Sequence, residues 1–137
     1  MPRTGATPST TSGTCSTRRS SSSGTQSANS LDSGARAMAE LLDRVPDLDA
    51  VLAASDLMAA GALTTLRKDG LNVPGDAGVA GFDDTGPAAR LDPPLTTMHQ
   101  PFDRIGAEMI DLLLQVMDGG DQASLTLPAD LVVRRST

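Results

Sequence analysis

An α/β fold built on a parallel sheet is what the sequence predicts, and three observations carry that prediction. Residues 50–54 form an apolar run without alternation, as in a strand covered on both faces. Ser55-Asp56 follows, and from Leu57 apolar residues recur every three to four positions through Ala60, Leu63 and Leu66, which is the period of an amphipathic helix. A second short apolar strand, residues 78–82, comes after the helix-stopping Gly70 and ends in Asp83-Asp84. Strand, helix and strand in this order make a βαβ unit, whose strands run parallel with their carboxyl ends on one edge. Ligands of open parallel sheets sit at that edge, so Ser55, Asp56 and the Asp83-Asp84 pair are placed at a candidate crevice.

The remaining elements follow in chain order. Asp32 or Ser33 is expected to cap a helix reaching Arg44, with Ala37, Met38, Leu41 and Leu42 as its buried stripe and Pro46 stopping it. Residues 46–49 then lead into the first strand, and Ser55 or Asp56 caps the helix over residues 57–69, with Asp56 favoured for that role. Beyond a turn-rich stretch at 85–94, residues 95–98 read as a third strand. Pro101 introduces the longest helix, since a missing N–H has no intrahelical partner to lose there. Ile105, Met109, Leu112, Leu113 and Val116 share one face of it and are expected in the core; Asp103, Arg104, Glu108 and Asp111 share the other. Gly119-Gly120 ends this helix, and residues 125–127 and 131–134 read as two closing strands.

Composition divides the 137 residues in two. Residues 1–30 hold sixteen Ser or Thr and almost no apolar side chain, which cannot offset the entropy of ordering a backbone, so disorder is expected there. Such Ser/Thr/Arg-rich text is what a slipped reading frame in a GC-rich gene gives; a native low-complexity tail is the alternative. Three Arg and no acid lie in this stretch, so of the chain's net charge of −6 the remaining residues carry −9. An acidic body without a basic face or a helix-turn-helix pattern repels a phosphate backbone. No signal peptide and no bilayer-spanning run is present in the sequence, and a cytoplasmic location without membrane contact is the expectation.

Chemistry narrows further. With one Cys and one His there is no disulfide, no zinc set and no metal site to predict. His99 has no nucleophile beside it, so no catalytic residues are assigned and the chain reads as a non-enzyme without a cofactor. Asp83 and Asp84, adjacent on an extended chain, point to opposite faces and do not share a proton or an ion. A single carboxylate with an amide beside it, accepting from vicinal hydroxyls, suits a polyol instead.

Five segments carry a resemblance: residues 54–59 (Ala-Ser-Asp-Leu-Met-Ala), 70–74 (Gly-Leu-Asn-Val-Pro), 81–84 (Gly-Phe-Asp-Asp), 93–101 (Pro-Pro-Leu-Thr-Thr-Met-His-Gln-Pro) and 131–137 (Leu-Val-Val-Arg-Arg-Ser-Thr). In order and spacing the chain from about residue 31 resembles the closing part of LacI/GalR-family transcription regulators. The resemblance implies a periplasmic-binding-protein-like type I α/β fold, incomplete here, in which residues 31–137 are the C-terminal effector-binding and dimerisation subdomain. It implies a small-molecule effector, a sugar or related polyol, held by Ser55, Asp56, Asp83, Gln100 and Phe102. Ser55 departs from the Asn common at that position, and a hydroxyl is shorter and donates only once. The resemblance also implies a homodimer through Ala59, Ala60, Leu63, Thr64 and Leu91, with burial inside the subunit as the alternative for these residues. Operator DNA would be held only by a helix-turn-helix headpiece that these residues do not include. Other readings are a solute-binding protein of a sugar transporter, which shares the fold but needs an export signal, and a truncated fragment without independent function.

Overall fold

A computed structural model of the chain describes residues 29–121 and 124–137, so the expectation for the Ser/Thr-rich segment lies outside the described residues except at Asn29 and Ser30. The first helix, α1, spans Leu31–Arg44. Its cap is Ser30, earlier than expected, because Ser30 and Ser33 form a reciprocal box: each hydroxyl accepts the other's backbone N–H at 3.0 Å. Asp32 falls instead in the first turn, where its charge complements the helix dipole.

Strand β1 (Ala50–Leu52) leads through Ala53 to helix α2 (Asp56–Lys68), and strand β2 (Gly78–Asp83) completes the βαβ unit. Gly70, at φ +79°, closes α2 in the left-handed conformation that a side chain disfavours. A single 3₁₀ turn at Ala88–Arg90 precedes strand β3 (Thr96–His99); helix α3 (Phe102–Met117) and strand β4 (Asp130–Val132) follow. The sheet order is β1-β2-β3-β4, with β1, β2 and β3 parallel and β4 antiparallel to β3.

Two helices and the sheet enclose the core. α2 packs on β2 and against α1, burying Met38, Ala59, Ala62, Leu63, Leu66 and Val79, with Ala88 and Leu95 closing the far side. The crossing of α1 and α2 is close enough to demand glycine: a Cβ on Gly34 would strike the Met58 carbonyl, and one on Gly61 the Leu31 carbonyl.

Two expectations fail here. Residues 125–127 form no strand, because no described strand runs beside them to pair with; β4 alone closes the sheet. More consequentially, no residue of α3 is buried. Ile105 and Leu112 are half-buried, but Met109 is 64% exposed, Leu113 58% and Val116 41%. The apolar stripe exists as read, yet among the described residues no element lies over it.

Candidate functional site

Because β1, β2 and β3 are parallel, their carboxyl ends bring Ser55-Asp56, Asp83-Asp84 and His99-Gln100 to one edge. Ser55 is the cap of α2: its backbone is extended, its hydroxyl accepts the Met58 N–H at 3.2 Å, and that hydroxyl also donates to the Asn29 side chain. Only 2% exposed, Ser55 has its hydroxyl committed to the protein.

Asp56 is therefore not the cap, contrary to expectation. It is the first residue of α2, and its carboxylate turns back over the sheet. Oδ2 accepts from the Thr85 N–H at 2.7 Å and the Thr85 hydroxyl at 3.0 Å, while Oδ1 accepts from the Thr97 hydroxyl at 2.6 Å. At 3% exposure this carboxylate is an internal tie between α2, the segment after β2, and β3. A buried carboxylate needs such donors, since an unpaired one loses its hydration without replacement.

Asp83 and Asp84 do diverge, though not by way of an extended chain: their φ values are +113° and +54°, both left-handed. Asp83 Oδ1 accepts from Gln100 Nε2 at 2.6 Å. Its other oxygen has no protein donor among the described residues. Beyond Gln100, an open concavity of about 420 Å³ is lined by His99, Gln100, Pro101, Phe102, Asp103 and Arg104. That volume is in the range of small-molecule sites. A second hollow, near 50 Å³, lies between α2 and the 3₁₀ turn, lined by Asp56, Leu57, Ala60, Thr85, Pro87, Ala88 and Leu91, and has no room for a sugar.

Asp84 turns the other way. Its Oδ1 accepts from Arg134 Nη2 at 2.7 Å and its Oδ2 lies 3.2 Å from His99 Nδ1. The bonded Arg134 guanidinium holds the Asp84 carboxyl below the usual carboxylate range against the opposing effect of burial, and His99 adds to the lowering. Arg134 is fixed in turn by donating to the Leu95 carbonyl at 2.8 Å. This pair, together with Thr85 and Thr97, was not foreseen from the sequence; partners fifty positions apart leave no periodic signal.

Of the five residues expected at a dimer contact, Ala59 and Leu63 lie in the core, 0% and 7% exposed. Ala60, Thr64 and Leu91 stay accessible in part. Among the described residues no three His, Cys, Asp or Glu side chains are placed to hold a metal, and no helix is long and apolar enough to cross a membrane.

Residues 10–137 match the family model described as a periplasmic binding protein-like domain. The chain belongs to the periplasmic-binding-protein-like family. Among members of this family, it is 48% identical over 107 residues to the HTH-type transcriptional regulator CelR of Thermobifida fusca, a stretch covering 77% of this chain and 32% of that regulator. The solved CelR–cellobiose complex superposes with a TM-score of 0.76 at 46% identity, over 79% of this chain and 34% of that one. A dimeric Lac repressor does so with a TM-score of 0.71 at 37% identity, over 79% and 40%. Relatives in this family are LacI-type transcription regulators rather than enzymes. The chain spans about a third of the length of the curated regulators it matches first.

The lowered Asp84 carboxyl makes stability depend on pH. Its charged form is favoured by folding, so its contribution is fully present above the ordinary carboxylate range and lost as pH falls through and below about 4. The urea midpoint is therefore expected to be level from pH 7 to about 5 and to drop at lower pH. Asp84→Asn should lower the midpoint at pH 7 and make the acid drop shallower, leaving the part due to Asp76, which the Asn72 backbone and side-chain N–H groups also hold low. An acid drop unchanged in the variant would refute the role of the Arg134 contact.

Proposed function

We propose that this chain is the effector-sensing and pairing part of a LacI/GalR-type transcription regulator, with a sugar or related polyol as effector. The observation that carries the reading is the Asp83–Gln100 pair at the carboxyl edge of the sheet, of which Gln100 lines the concavity and Asp83 is bonded to it. Asp83 offers an acceptor to a hydroxyl, and Gln100 adds an amide that both donates and accepts. Phe102, 52% exposed on the same wall, supplies an apolar surface for a sugar's C–H face. Ser55 and Asp56 in this reading support the site from behind, since their oxygens are already bonded within the protein. That a solved relative is a cellobiose complex agrees with this effector class.

Pairing in this reading uses Ala60, Thr64 and Leu91, with the half-exposed Leu57 beside them. Operator contact belongs to a headpiece of the longer regulators, with effector-driven closure of two lobes as the signal. One wall of a cleft binds weakly, so cellobiose or another saccharide from a panel should shift the Gln100 side-chain amide signal saturably, with a Kd of about 1 mM or weaker. Asp83→Ala should abolish the shift; an identical titration in the variant would remove Asp83 from the site. For the pairing surface, Leu91→Asp should convert a sedimenting dimer to monomer, and an unchanged sedimentation coefficient would rule that surface out.

A further inference from the structure

His99, the last residue of β3, lines the same concavity as Gln100, Phe102 and Arg104. Across the sheet it stands opposite Asp83 on β2 and Asp130 on β4, yet among the described residues its ring bonds to neither. The ring turns instead to Asp84, whose Oδ2 lies 3.2 Å from Nδ1. Its side chain is 48% exposed, whereas those of Asp84 and of Arg134, which holds the other Asp84 oxygen, are 17% and 20% exposed. A half-open ring is thus anchored on a largely enclosed ion pair.

That anchor fixes a proton. A neutral imidazole carries a single N–H, on Nδ1 or on Nε2, and the hydrogen bond made by one nitrogen decides the state of the other. An ionised carboxylate can only accept. The Arg134 guanidinium, itself tied to the Leu95 carbonyl, keeps Asp84 in that ionised form, so the proton of neutral His99 belongs on Nδ1. Nε2, on the far edge of the ring, is left with a lone pair that no protein donor among the described residues takes up.

We infer that His99 is a further effector contact, its Nε2 accepting from a ligand hydroxyl, with Asp84 and Arg134 as the positioning residues that set its proton. The contact deepens the polyol reading of Asp83 and Gln100 and rests on it. Asp83 and His99 are register partners on adjacent strands, which run about 4.8 Å apart, and each keeps an acceptor that the protein leaves open. A ligand must therefore bring a donor to each. A polyol does so, because every hydroxyl carries a hydrogen; a sugar whose matching oxygens are alkylated, and so only accept, does not.

His99 is the only histidine of the chain, so nitrogen NMR follows its ring without overlap. At about pH 8, where an imidazole is neutral, the ligand-free chain should show a protonated Nδ1 and a bare Nε2. In Asp84→Asn, whose amide can donate as well as accept, the Nε2–H form should grow. Cellobiose, or whichever panel saccharide shifts the Gln100 amide, should move the Nε2 signal with the same Kd. His99→Asn keeps a donor for Asp84 but falls short of the Nε2 position, and should weaken that Kd roughly 3–10-fold, the worth of one hydrogen bond. His99→Gln, whose longer amide reaches that position with an acceptor, should restore most of the loss. An Nε2–H ring in the unsubstituted chain would overturn the proton assignment. A saccharide that shifts Gln100 while leaving both the Nε2 signal and the His99→Asn affinity unchanged would remove His99 from the site and leave the Asp83–Gln100 reading standing. Silence at Gln100 and His99 across the whole panel would refute that reading, and the His99 contact with it.

Discussion

At the start of α2 a carboxylate is taken out of water and given three protein donors, and the carboxyl edge of the sheet is arranged around it. Asp56 accepts from Thr85 twice and from Thr97 once, so one side chain joins a helix N-terminus, the segment that follows β2, and the middle of β3. The helix dipole favours a negative charge at that position, and the donors replace the hydration lost at 3% exposure. Leaving a buried group of this cluster without its partner costs about 1–3 kcal/mol, and more where the group left is the carboxylate, a large fraction of a small domain's stability. With Thr85 fixed, the two left-handed aspartates before it are held at the end of β2, one aimed at Gln100 and the other at Arg134.

The C-terminal segment ties the opposite, amino end of the strands and reaches the carboxyl edge through Arg134. Beside β2, where β3 has not yet begun, Ser136 takes the neighbouring place: its carbonyl accepts the Val79 N–H at 2.7 Å, and its hydroxyl donates to the Val79 carbonyl at 2.6 Å and accepts the Thr96 N–H at 2.8 Å. Two residues earlier, Arg134 reaches Asp84. Short-range regularity and long-range polar ties therefore divide the labour: the former makes the elements, and the latter fixes where Asp83 and Gln100 stand.

That division also sets what could be read from the sequence. The βαβ unit was legible because an unalternating apolar run, a Ser-Asp cap and a 3.6-residue period are local signals, and the segments from Ala54-Ser55 to Ser136-Thr137 pointed to the right family. The apolar stripe of α3 was read correctly as amphipathic but wrongly as core, since periodicity reports that a face is made to be covered and not what covers it. Ala59 and Leu63 were offered to a partner because their burial depends on where α1 lies, which the period of α2 alone does not contain. Asp56 looked like a cap because both Ser and Asp serve as caps; Thr85 and Thr97, which give it its actual role, carry no signal of their own.

Asp56 acts as an internal tie, and a double-mutant cycle between Asp56 and Thr97 measures that tie. Urea unfolding of the wild-type chain, Asp56→Ala, Thr97→Val and the double variant should give a coupling of about 1.5–3 kcal/mol, the worth of a buried hydrogen bond to a charged group. Single-variant losses that add to within about 0.5 kcal/mol would mean that the two residues do not act together, and that the carboxyl edge is held by something else.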